Sequence, residues 1–173
     1  MTRDELEHLR RMAEEAEREQ PMTRVALDDI GNPEVVRRQL RHEFEQSLRS
    51  KEPAEKLIAR LQRFVDMRRS RVCTIAQTER TRAVNSQRYA DAIREYLRDY
   101  DKAVKGHRKR PEKPVFQWIN PRTAKEPRKH HVAISGKRCM IGAEFLPGLR
   151  YPGDPAAPAR ETINCHCYIR RRR

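Results

Sequence analysis

Apolar residues recur at helical spacing through the first hundred residues of the chain, and beyond that the period breaks. Thr2-Arg-Asp-Glu5 has the spacing of a capping box, and Leu6, Leu9, Ala13 and Ala16 follow on one helical face. This first helix is expected to end near Gln20-Pro21. Asn32-Pro33 offers an N-cap and a proline at the first helical position, after which Val36, Leu40, Phe44 and Leu48 fall four apart. Pro53 opens a third helix with Leu57, Leu61, Phe64 and Val65 inward. The fourth and longest is predicted from about Arg71 to Tyr100, with Val72, Ile75, Ala76, Ala83, Ala90, Ile93 and Leu97 as its apolar stripe. Its middle holds Gln77, Glu79, Arg80, Arg82 and Asn85, positions that ordinarily form the wet face of a helix. Glu79 and Asn85 nevertheless stand on neighbouring turns, where both can hydrogen-bond a docked segment.

Lys102 to Pro114 breaks the pattern and reads as a mobile basic linker built around Lys105, Arg108, Lys109 and Arg110. Val115 to Ile119 alternates and contains β-formers, which predicts a strand. Val132–Ile134 and Arg138–Ile141 could form a hairpin turning at Ser135-Gly136. Leu146 to Pro158 is too rich in proline and glycine for regular structure. Ile163 to Ile169 is expected to be a final strand, with Arg170, Arg171, Arg172 and Arg173 as a frayed cationic tail. The whole is an α+β chain: N-terminal amphipathic helices and a long central helix, followed by a small antiparallel β, loop-rich C-terminal unit.

Composition narrows what this chain can do. Hydrophobic residues make up 36% and charged residues 37% of the 173, with mean hydropathy −1.02. That supports a modest core with partner-dependent helices rather than one self-sufficient sphere. No apolar run approaches the ~20 residues that span a bilayer. The start of the chain lacks the basic-then-apolar pattern of a signal peptide, so a cytoplasmic setting is expected. The net charge of +14 is uneven: residues 101–173 carry 18 Lys and Arg against 6 Asp and Glu. Such a field favours polyanions, nucleic acid first. No recognition-helix pattern accompanies it, and aromatic residues, at 6%, are too few for a base-stacking platform, so contact with DNA would be non-specific.

Candidate chemistry concentrates near the C-terminal end. Cys165 and Cys167 flank His166, and on an extended chain alternate side chains face one way, so the two sulfurs can converge while His166 points away. Zinc takes four thiolate or imidazole ligands in a tetrahedron, and His131 with Cys139 or His130 could complete the set. Reduced, packed thiols are the competing reading, and a disulfide or a catalytic thiol also fits the residues. His131, Glu161 and Cys165 could form a Cys-His-acid trio, but no Gly-rich phosphate loop, paired acidic site or nucleophile elbow is present. The chain is therefore not expected to be an enzyme.

Two blocks of residues resemble the phage Mu F-like family of head-morphogenesis (minor head, minor capsid) proteins. One is Ile75-Ala-Gln-Thr-Glu79 with Asn85. The other comprises Arg128, His131, Gly136, Phe145, Gly148, Tyr151-Pro-Gly153-Asp154, Glu161 and Asn164-Cys165-His166-Cys167. Together they span residues 70–169. His166 stands where the family usually has arginine, and the N-terminal part is short for the family. Some relatives carry Cys-x-x-Cys where this chain has Arg128-x-x-His131, which implies a ligand or strut role for His131 opposite the two cysteines.

The resemblance implies a low-copy structural protein that acts in procapsid assembly and DNA packaging. Its expected partners are the portal protein, packaged DNA, and scaffold or major capsid protein. The expected locations are the host cytoplasm during assembly and the virion head. Residues 1–69 would then be a helical portal-contacting region and residues 70–169 the head-morphogenesis domain, interrupted by the basic linker 101–114 and followed by the tail 170–173. Within the domain, Glu79 and Asn85 would brace the loop bearing Tyr151–Asp154. The alternatives are a zinc-stabilised nucleic-acid-binding module and a toxin-like enzyme effector.

Overall fold

The computed structural model describes residues 1–18, 33–64 and 69–172. The elements in chain order are α1 (Arg3–Arg18), α2 (Pro33–Ser50), α3 (Ala54–Phe64), α4 (Arg69–Lys105), β1 (Val115–Ile119), α5 (Lys129–Ala133), β2 (Arg138–Met140), α6 (Ala159–Thr162) and β3 (Tyr168–Arg172). The fold is α+β, with four helices ahead of a three-stranded antiparallel sheet in the order β2-β1-β3. No helix among the described residues is long and apolar enough to cross a membrane.

The capping box forms as the spacing predicts: Glu5 N donates to Thr2 Oγ1 at 3.2 Å and Thr2 N donates to Glu5 Oε2 at 2.8 Å. Pro33 is the first residue of α2. The expected ends at Gln20-Pro21, the Asn32 cap and Val65 lie outside the described residues, as does Arg173.

Helix α4, 37 residues long and therefore about 55 Å, is the spine. Leu9, Met12 and Ala13 of α1 join Tyr89, Ala92, Ile93 and Tyr96 of α4 in the main core. The apolar face of α1, expected to await a partner, is thus covered by the chain itself. β1 alternates as predicted, with Phe116 and Trp118 buried among Phe145, Leu149, Tyr151 and Ile169.

Four local expectations change. The helical period does not stop at Tyr100 but runs to Lys105, because Ala103 is a further buried position on the same face. Val132–Ile134 is not a strand: Val132 and Ala133 belong to helix α5, and Arg138–Met140 pairs with β1, Val115 lying opposite Met140. Residues 163–167 are irregular. The last strand starts only at Tyr168, where β1 runs alongside, and Arg170, Arg171 and Arg172 lie opposite Gln117, Phe116 and Val115 within it. Those arginines are strand residues, not a frayed tail.

Finally, the polar middle of α4 is mostly not its wet face: Arg80 is exposed and Gln77 half-buried, but the rest turn inward. Thr78, Glu79, Thr81, Arg82, Asn85 and Ser86 are all buried. Buried polar groups need partners, and the C-terminal segment supplies them.

Candidate metal centre and its helical brace

Between Ala159 and Ile169 the chain has little backbone pairing of its own, and α4 provides it side chain by side chain. Asn164 N donates to Thr78 Oγ1 at 2.8 Å, and Thr81 Oγ1 donates to Cys165 O at 2.7 Å. Asn85 Nδ2 donates to Cys167 O at 3.3 Å, while its Oδ1 accepts from Ile169 N at 2.9 Å. Arg88 Nη1 then donates to Ile169 O at 3.3 Å. Thr78, Thr81, Asn85 and Arg88 follow at steps of three and four along one face of α4, and that face stands in for a neighbouring strand.

Arg128 fixes the other side of this segment, donating through Nε to Arg160 O and through Nη2 to Ile163 O, both at 2.6 Å. It leads into α5, a single turn whose first position has no side-chain cap. That turn aims His131 inward. His131 and Cys165 are each 1% exposed and Cys167 is 4% exposed. His131 Nδ1 lies 3.6 Å from Cys165 Sγ and 3.8 Å from Cys167 Sγ, and its Nε2 lies 3.0 Å from Glu161 Oε2. His130 Nε2 approaches the same carboxylate oxygen at 2.6 Å. A buried His131–Cys165–Cys167 group of this kind could hold a metal ion; His130, His131 and Glu161 form a second, more open cluster.

Electrostatics couples these groups. Partial burial pushes the Glu161 carboxyl up, but hydrogen bonds from His130 and His131 outweigh it and leave it below the ordinary value. The contact with Cys167 pulls the Cys165 thiol below its ordinary value against burial, while the same contact and burial push Cys167 up. Trp118 meets the His131 ring edge-on, with centroids 5.1 Å apart. Its buried indole N–H has no acceptor at hydrogen-bond geometry.

Other predicted residues fall elsewhere. Cys139 stays outside the group: its thiol donates to Glu144 O at 3.5 Å from strand β2, and burial pushes its pKa up. His166 points away from the sulfurs as expected, with Nδ1 3.1 Å from Thr123 Oγ1. Asn85 serves the C-terminal segment rather than the Tyr151–Asp154 loop. Asn85 holds the strand entry, Glu79 lies 3.7 Å from Arg82, and it is Arg82 that donates to Gly153 O at 3.2 Å. Asp154 caps its own loop, accepting from Arg150 N and Ala156 N at 3.1 Å and from Arg150 Nε at 2.8 Å. Tyr151 packs on Tyr89 and Phe145 on Trp118. Gly136 N donates to Trp118 O at 2.8 Å at the end of β1.

The cationic candidates among the described residues are on the surface. Lys105, Arg108, Lys109 and Arg110 are exposed, Arg110 lying over the Tyr100 ring. Arg170, Arg171 and Arg172 are exposed on β3, where Arg171 pairs with Glu95 at 2.5 Å.

Sequence reasoning missed Thr81 and Trp118 as parts of the site and held Thr78 only as a member of the Ile75–Glu79 block. The threonines carried a signal: with Asn85 they fall at steps of three and four along one helix face. Trp118 carried none beyond its place in a strand. Comparison of the chain with protein-family models, with curated proteins and with solved structures finds no match.

Proposed function

We propose that this chain is a minor head protein of the Mu F-like head-morphogenesis class. It would be a low-copy structural component, associated with the portal during procapsid assembly and touching packaged DNA without sequence preference. One observation carries the reading. Residues of the two blocks, far apart in sequence, depend on one another, Thr78 with Asn164 and Asn85 with Cys167, and within the second block His131 meets Cys165, Cys167 and Glu161. A spacing that a single bonded unit requires is harder to meet by chance than a set of unconnected matches. The enclosure of Cys165 supports a strut rather than a nucleophile, although Cys165, His131 and Glu161 stand in the order of thiol, base and carboxylate.

The test is co-expression with the portal protein encoded by the same genome. Co-purification at a fixed ratio is expected. Absence of a complex at low salt, with DNA binding retained, would favour a zinc-stabilised nucleic-acid-binding module instead. That second reading rests on the His131–Cys165–Cys167 group and the exposed arginines of β3.

A further inference from the structure

We propose that His131 Nδ1, Cys165 Sγ and Cys167 Sγ bind one zinc ion, which staples α5 to the segment entering β3, with Glu161 as the outer partner that fixes the histidine. The inference stands whichever functional reading holds.

Distances come first. Zinc bonds of about 2.3 Å to sulfur and about 2.05 Å to nitrogen at the tetrahedral angle put nitrogen and sulfur about 3.6 Å apart. His131 Nδ1 meets its two sulfurs at 3.6 and 3.8 Å. The tautomer follows. Glu161 is an acceptor, so the His131 proton belongs on Nε2, and the Nδ1 lone pair is left facing both sulfurs. One lone pair can accept one S–H; a cation answers all three donors at once. The carboxylate behind the imidazole is the usual outer partner of a zinc-bound histidine.

Charge points the same way. Two buried thiolates would be costly alone, whereas with Zn²⁺ and a neutral imidazole the centre is neutral. Trp118 supplies the independent sign. Its indole N–H is wholly buried and meets no acceptor at hydrogen-bond geometry, and a metal-bound thiolate in the same core is an acceptor that would use it. Thiolate with imidazole selects zinc over the oxygen-seeking cations. Among the described residues three donors converge, which leaves a fourth vertex for a further ligand.

The experiment is metal analysis of protein purified without chelators, followed by Co²⁺ titration of the chelator-treated wild-type chain. About one zinc per chain is expected. Cobalt should give thiolate charge-transfer absorption saturating at one equivalent. Cys139→Ser should keep the metal and Cys165→Ser should lose it. Glu161→Gln should weaken binding about 10- to 100-fold. A folded wild-type chain that holds no zinc and gives no charge-transfer band would overturn the proposal, as would loss of metal from Cys139→Ser equal to that from Cys165→Ser. The wild-type titration does not depend on any variant folding. A metal-free chain that still co-purifies with the portal protein would sink the zinc site and leave the head-protein reading intact.

Discussion

Gly153 sits where a side chain has no room. A Cβ there would lie 2.8 Å from Arg82 Cα and 3.0 Å from Arg82 N, and the backbone has φ +82°. Gly142 has φ +90° but no atom within 4 Å of such a Cβ. The pair separates two costs. Gly142→Ala should lose about 1 kcal/mol of stability from the left-handed backbone alone. Gly153→Ala should lose about 2–4 kcal/mol, because overpacking against α4 is added. Urea unfolding of both variants checks this, and equal losses would mean that the loop does not press on the helix.

Tyr89 gives a pH dependence. Burial pushes its phenol up to about 12 from 10, against a small opposing effect of the Gly142 N–H that its oxygen accepts at 2.9 Å. Because the folded value is the higher one, its contribution is complete below pH 10 and is lost as pH rises toward 12. The stability gap between wild type and Tyr89→Phe should therefore shrink above pH 10, by up to about 1.4 kcal/mol per pH unit. Parallel stability curves from pH 8 to 12 would refute that assignment.

Among the elements, α1 is the one whose role the structure alters most. Its amphipathic face was legible from Leu6, Leu9, Ala13 and Ala16, but periodicity says that a face is buried and not against what. Leu9 and Met12 pack into the core beside α4. Leu9→Ala should therefore destabilise the isolated chain by about 2–5 kcal/mol. A change near zero in the denaturation midpoint would mean that this face waits for a partner after all.

The long helix and β1 were legible because their periods persist: α4 over ten turns, β1 through the alternation of Phe116 and Trp118. α5 was not. Val132–Ile134 is β-branched at both ends, and Arg128 offers no cap, so nothing local specifies helix. What holds the turn is His131, tied to residues about thirty positions later. β3 was misplaced for a related reason. Asn164, Cys165 and Cys167 look like strand from their alternation, but their backbone groups bond to side chains of α4, which single-sequence patterns do not register. The metal candidates were legible in part. Close spacing identified Cys165 and Cys167, whereas choosing between Cys139 and no fourth protein ligand needed the fold.

For the whole molecule, the charge asymmetry becomes a geometry. Arg172 lies opposite Val115, and Arg171 pairs with Glu95 of α4, less than two turns before the Tyr100 that Arg110 covers. Both cationic stretches thus contact the C-terminal half of α4. Replacing Arg170 and Arg172 together by alanine should reduce the slope of log affinity for duplex DNA against log salt by about 2, with no change in sequence preference. An unaltered slope in fluorescence anisotropy titrations would place the DNA contacts elsewhere.

The same picture joins the parts of the proposed role: a helical brace for the irregular C-terminal segment, a buried His-Cys-Cys group that faces the segment from α5, and exposed arginines open to a polyanion. Its most direct test is quantitative mass spectrometry of procapsids assembled from the head genes of the same genome, with and without the portal gene. The proposal predicts this chain in a few copies per particle when the portal is present, and its loss when the portal gene is omitted. Procapsids that contain portal but none of this chain would contradict it.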